Sequence, residues 1–185
     1  MPEVSYDNAR SLKKDYKKEQ ALLLVLLFIP CLFSLLNNLD NDIWFLLSHG
    51  RYLFQNGIPH IEPFTLHEGM GFVMQQWLSA GIFWAVYSMF GGLGLKVLIA
   101  VFYGIIVFVT YKLCMLISRK NVLVSYGISF VVSLVLFLFM VTRPTVFSTL
   151  LLVLELYLVE SFVETGNKKY LYFLPLLSLL LVNLQ

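Results

Sequence analysis

The feature that most constrains this chain is a series of long apolar stretches with almost no charge inside them. They cover positions 21–36, 77–90, 93–117, 122–141, 145–163 and 170–184. A helix needs about 20 predominantly apolar residues to cross the roughly 30 Å hydrocarbon core of a bilayer. Stretches 93–117, 122–141 and 145–163 reach that length outright, and 21–36 reaches it with its flanks. Apolar residues make up 59% of the 185 positions and charged residues 13%, against about 25% charged in soluble domains. A water-soluble fold of this composition has too few polar groups to cover its own surface. Lipid lifts that requirement but demands that backbone polar groups in the hydrocarbon be satisfied within the segment, as in a helix. The expected fold class is an all-α membrane protein, a helical bundle of about five or six transmembrane spans.

Charge placement orients the bundle. Arg10, Lys13, Lys14, Lys17 and Lys18 make 1–20 a basic tail, which the positive-inside rule puts in the cytoplasm. So short a patch does not predict nucleic-acid binding. Cys31 and Cys114 both fall inside apolar stretches and define no disulfide framework. Asn37-Asn38-Leu39-Asp40 follows the first stretch without a small-x-small cleavage pattern, so 21–38 reads as an uncleaved first span rather than a signal peptide. Residues 39–76 then form an extracytoplasmic loop. Segment 77–91 reads either as a short span or as a juxtamembrane helix. If it spans, Arg119-Lys120 and Lys168-Lys169 fall outside; if it lies along the outer surface, both pairs fall inside. The second arrangement agrees with the charge rule and with the aromatic, Gln75-Gln76-Trp77-initiated character of the segment. Spans 93–117, 122–142, 145–163 and 170–185 follow, and Thr142-Arg143-Pro144 joins Asp40 on the outer side. The last apolar stretch has no polar flank, which predicts further chain beyond Gln185.

The loop concentrates the ionisable groups. His49, His60 and His67, all the histidines of the chain, lie there with Asp40, Asp42, Arg51, Glu62 and Glu68. Asp40 and Asp42 can share a divalent cation, Mg²⁺ or Mn²⁺, leaving ligand positions for phosphate oxygens. One of them can instead act as a general base, or the pair can simply cap the next helix. That helix covers about 43–55 and ends at Asn56-Gly57. It is amphipathic, with Leu46, Leu47, Leu53 and Phe54 toward lipid and His49 and Arg51 on the polar side. Ile58-Pro59 and Glu62-Pro63 force extended backbone. Arg143 is either an interfacial anchor or a contact for phosphate or carboxylate. His49, Arg51, His60, Glu62 and Arg143 are the candidate substrate-binding residues, and Asp40 and Asp42 the candidate catalytic and metal-binding ones. Glu155, inside 145–163 and seven residues after Ser148, suits helix–helix hydrogen bonding as well as function.

Taken in order, Asp40-x-Asp42-x-Trp44, His49-Gly50-Arg51, Asn56-Gly57-Ile58-Pro59, Glu62-Pro63-Phe64-Thr65, Gln76-Trp77-Leu78, Arg143-Pro144 and Asn183-Leu184-Gln185 resemble a group of bacterial membrane proteins in the GT-C glycosyltransferase superfamily. The pattern of that group is D-x-D-x-W-W-H-L, G-R, G-x-I-P, D-P-F-S, H-E-W-L, R-P and N-L-H. The resemblance implies transfer of sugar from a polyprenyl-phosphate-linked donor at the outer face of a bacterial plasma membrane, modifying a cell-envelope glycan. It implies that Asp40 and Asp42 serve the acceptor or a metal. Leu46 stands where the group has His, Gln75-Gln76 where it has His-Glu, Glu62 where it has Asp, and Gln185 where it has the final His. Loss of the ionisable groups at 46, 75, 76 and 185 supports an alternative, a non-catalytic membrane protein that acts as an assembly or export partner. A transporter has less support, because no internal repeat is visible and intramembrane ionisable residues are few.

Overall fold

The computed structural model of the protein describes residues 21–185; the basic tail expected over 1–20 lies outside the described residues. These fold as helices, with no strand among them and one isolated antiparallel bridge, Ile61–Gly71. Helix α1, Ala21–Leu36, is interrupted at Phe28, restarts as Ile29–Phe33 with Pro30 in its first turn, and closes in a 3₁₀ turn over Ser34–Leu36. A proline there costs no ladder bond, since first-turn N–H groups have no partner anyway. Helix α2 is Ile43–Asn56, α3 is Trp77–Ile117, α4 is Val122–Phe137 and α5 is Thr145–Thr165. A 3₁₀ segment, Lys168–Phe173, leads into α6, Leu174–Leu184.

The segments 77–91 and 93–117, separate in the sequence reading, are two helical legs of α3 joined at a kink at Gly91. That residue sits at φ 62°, ψ −159°, a conformation glycine adopts without the penalty a Cβ would bring. The leg beyond the bend still exceeds the length of a membrane span.

Helix α3 is the spine on which the others pack. Helix α2 crosses it backbone to backbone: a Cβ added at Gly50 would stand 2.2 Å from the Ala80 carbonyl oxygen. Helix α4 presents Ser125, Ser129 and Ser133, one per turn and all fully buried. Tyr103 of α3 donates to the Ser133 carbonyl, and small residues of this kind let apolar helices approach closely. Helix α5 docks through Phe147, whose ring packs 5.5 Å from Phe83 and 5.0 Å from Phe102. The end of α6 returns to the start of α3. There Trp77 Nε1 donates to Asn183 Oδ1 at 3.0 Å and Ser79 donates to the Leu184 carbonyl.

Of the five or six spans expected, two helices among the described residues are long and apolar enough to cross a membrane, α3 and α5. Helices α1 and α4 are apolar but shorter, and α6 has 11 residues. A helix in the core of a soluble protein is mostly buried, whereas only 33% and 22% of the apolar windows of α3 and α5 are. Val97, Val101, Ile105 and Phe108 form an exposed stripe along α3, and Leu152, Leu156, Val159 and Val163 one along α5. The reversals that carry Arg119-Lys120 and Lys168-Lys169 fall a helix length away from Arg143. Arg119 and Lys120 adopt φ of 54° and 67°, and Asn121 caps α4 by accepting from the Val124 N–H at 3.2 Å.

Candidate functional site

Two loops distant in sequence meet at one end of the bundle. Arg143, between α4 and α5, places Nε 3.1 Å from Asp40 Oδ2 and Nη2 2.9 Å from Asp42 Oδ2. The second connection is neutral: the Asp40 N–H donates to Thr142 Oγ1 at 3.0 Å. Asp40 then orders its neighbour, accepting from the Asp42 N–H at 2.9 Å. A planar guanidinium suits this bridge because it offers separate N–H donors at fixed angles. The hydrogen bond to Asp40, then the charges of Asp40 and Asp42, push Arg143 above the ordinary value of a guanidinium. The triad keeps one negative charge in excess. Asp40 is largely enclosed, at 17% side-chain exposure, whereas Asp42 is open at 65%.

This geometry bears on two of the readings left open above, helix capping by Asp42 and lipid anchoring by Arg143. Asp42 occupies the N-cap position of α2 but makes no side-chain cap bond, so its carboxylate serves Arg143 rather than the helix end. Arg143 is not a free anchor, because both carboxylates hold it. Thr142, which sequence reasoning passed over, is buried and fixes the Asp40 backbone. Its signal was a hydroxyl wedged between an apolar stretch and an Arg-Pro pair.

A cavity of about 300 Å³ opens beside the triad, lined by Asp42, Leu46, Gln76, Arg143 and Thr145. A neighbouring one of about 230 Å³ runs under His49 and Phe72 to Met74 and Ala80. Phe45, Leu46 and Gln76 line both. A separate apolar groove of about 600 Å³ lies between α1 and α4, walled by Leu26, Ile29, Phe33, Tyr126 and Phe130. It ends at Leu36 and Asn37, three residues before Asp40.

The lipid-facing assignment for Leu46 and Leu47 of α2 is corrected, whereas Leu53 is half-buried and Phe54 exposed. Leu46 and Leu47 are buried inside the protein, and so is His49, expected on the polar face. The reason is that α2 is covered from two sides, by α3 and by residues 60–72. The Phe72 N–H donates to the His60 carbonyl and the Glu62 N–H to the Met70 carbonyl, each at 2.9 Å, folding 60–72 into a flap. Phe45, Phe64 and Phe72 surround the His49 ring at 4.1, 4.9 and 5.3 Å. His49 Nδ1 lies 3.0 Å from the Phe45 carbonyl, and Nε2 faces Glu62 Oε1 at 3.6 Å. His49 and Glu62 are thus brought together, a pairing no spacing in the sequence announces. Arg51 and His60 are exposed and join neither cluster.

A divalent ion at Asp40 and Asp42 would find one Arg143-bound oxygen on each carboxylate. No group of three or more His, Cys, Asp or Glu side chains gathers anywhere among the described residues. Mg²⁺ commonly takes one or two carboxylates and completes its shell with water and substrate phosphate, and the pair fits that mode alone. No protein-family model matches this chain, and neither does any curated protein or solved structure.

Proposed function

We propose that this chain belongs to a polytopic protein of a bacterial plasma membrane, with about five or six spans and a cytoplasmic N-terminus. In this reading it transfers sugar from a polyprenyl-phosphate-linked donor at the extracytoplasmic face. The observation that carries it is the convergence of Asp40, Asp42 and Arg143 from loops a hundred residues apart onto one cavity at one end of the bundle. Leu46 and Gln76, two positions at which the resembling group has ionisable residues, line the same cavity. The apolar groove between α1 and α4, lined as far as Asn37, has the chemistry to take part of the lipid tail of such a donor.

The roles divide by exposure. Asp42, the open carboxylate, is placed to take the proton of an acceptor hydroxyl as its oxygen attacks the anomeric carbon. The bond from that carbon to the phosphate oxygen breaks, and the carrier phosphate leaves with the electron pair. Asp40 holds Arg143 and the Asp42 backbone, a positioning role. Arg143 keeps N–H donors on Nη1 that neither carboxylate uses, available to the departing phosphate. A bound Mg²⁺ or Mn²⁺ would supply charge neutralisation at that phosphate.

The test is Asp42→Asn and Asp40→Asn in the full-length protein in cells, read as the profile of envelope glycans. Loss of a general base lowers the rate about 10²–10⁴-fold, so Asp42→Asn should abolish the product and Asp40→Asn should reduce it. Unchanged glycans in both variants sink the transferase. A second reading, a non-catalytic assembly or export partner, is favoured by one observation: Leu46, 4% exposed, and the neutral Gln76 leave the cavity without a second acid–base group.

A further inference from the structure

We infer that the cavity adjoining the carboxylate site receives a single uncharged, hydroxyl-rich ring, a neutral hexose unit, and that this ring is the acceptor of the transfer. The acceptor role rests on the proposed function; the binding site does not. Three elements build the cavity of about 230 Å³: α2 through Phe45, Leu46 and His49, the start of α3 through Gln76 and Ala80, and the stretch 72–75 that precedes α3. Its walls are held in place. Leu46, Met74 and Ala80 are buried, the Phe72 N–H donates to the His60 carbonyl at 2.9 Å, and the close approach of Gly50 to Ala80 fixes α2 on α3. The volume lies below the roughly 300–1,000 Å³ of sites for drug-sized ligands, which suits one ring rather than an oligomer.

The lining selects the chemistry. It contains no Asp, Glu, Lys or Arg, so a charged group brought in from water would find no ionic partner to replace its hydration. Polar contact comes from Gln75 and Gln76. A carboxamide offers two donors and an oxygen that accepts two bonds, the complement of neighbouring ring hydroxyls, each of which both donates and accepts. Gln76 is half-buried and holds the N-cap position of α3, yet its side chain makes no cap bond. Its hydrogen-bonding groups are therefore not spent on the helix it starts. Phe45 and Phe72 supply flat apolar surface, and the negative face of a phenyl ring suits the polarised C–H bonds of a pyranose. Charge returns next door, since Phe45, Leu46 and Gln76 also line the cavity of Asp42 and Arg143. A ring held by Gln76 thus lies one shared wall from Asp42. In transfer, its hydroxyl oxygen bonds to the anomeric carbon, the hydroxyl proton passes to Asp42, and the carrier phosphate leaves with the electron pair. Amides at 75 and 76, where the resembling group has His-Glu, then mark a change of acceptor rather than a loss of function.

Saturation-transfer NMR on the full chain in nanodiscs, free of glycoside detergent, tests the site without any activity. The probes are the methyl glycosides of glucose, galactose and mannose, with methyl glucuronide as the charged counterpart. At least one neutral glycoside should receive saturation from the protein, and the glucuronide should bind more weakly. Gln76→Leu keeps the bulk of the side chain and should weaken that glycoside about fivefold, the worth of one hydrogen bond. Gln75→Leu, at an exposed position, carries the same test if Gln76→Leu does not fold. Phe54→Ala removes an exposed ring outside the cavity and should bind as the wild type does. No saturation of any neutral glycoside, equal or tighter binding of the glucuronide, or full affinity in the folded Gln variants overturns the site. Sugar binding in a protein whose Asp42→Asn variant makes normal glycans sinks the transferase reading and leaves the site standing. Glycans lost in Asp42→Asn, with no glycoside bound by the wild type, do the reverse.

Discussion

Gly50→Ala offers the sharpest test of how α2 is held, because two effects of known sign oppose each other. Within a helix, replacing glycine by alanine gains about 0.5–1 kcal/mol, since glycine loses more backbone freedom on folding. Against that gain stands the contact with α3. The new Cβ would meet the Ala80 carbonyl oxygen at 2.2 Å and Trp84 Cβ at 2.6 Å. Both obstacles belong to the backbone or to the root of a side chain, so no rotamer change relieves them. The helices must separate by ~0.8 Å or more, and overpacking of this kind costs about 1–3 kcal/mol. The clash therefore wins, with a net loss of about 1–2 kcal/mol. For a chain of this size that lowers the melting temperature by roughly 2–8 °C. Gly127 in α4 is the control, because nothing lies within 4 Å of its added Cβ, and Gly127→Ala should be neutral or stabilising. Thermal unfolding in detergent, followed by labelling of buried Cys31 with a thiol-reactive dye, reads both variants. If Gly50→Ala melts at or above the wild-type temperature, the close crossing of α2 over α3 is wrong. The position of Asp42 on the same helix is then in doubt as well.

Other consequences follow from the charges. Arg143 is held above the ordinary guanidinium value, so what it adds is complete at every working pH and would be lost only at extreme alkalinity. Arg143→Lys substitutes a group that discharges near pH ~10.4 and cannot bridge two carboxylates through separate nitrogens. Its stability deficit relative to wild type should widen between about pH 9 and 11; a constant deficit across that range argues against the ion-paired triad. For topology, cysteines introduced at Asn41, Ser118 and Gly166 in an otherwise cysteine-free chain are probed in intact cells with a membrane-impermeant reagent. Asn41→Cys should react from outside, and Ser118→Cys and Gly166→Cys should not. Reaction at either of the last two reverses the proposed orientation.

What the sequence disclosed and what it withheld separate along a physical line. Long apolar stretches announce helices because nothing else satisfies the backbone in lipid, and Asp40, Asp42 and Arg143 stand out because ionised groups beside such stretches are expensive without a reason. Burial of His49 was not readable. Helix α2 has apolar residues on more than one face, and its second cover comes from Phe64 and Phe72, which sit in a loop with no periodicity to mark them. The end of α4 was not readable either. Composition carries the fourth apolar stretch through Val141, yet α4 ends at Phe137. Leu138–Val141 leave the helix through short turns, with the Phe139 and Met140 N–H groups both donating to the Leu136 carbonyl. Beyond that stop, Thr142 reaches the Asp40 backbone and Arg143 reaches both carboxylates. Hydropathy is blind to that bend because the residues that make it are as apolar as the helix they abandon. Helix α4 thus stops short of Thr142, and the ion cluster lies just past the apolar turn that follows it.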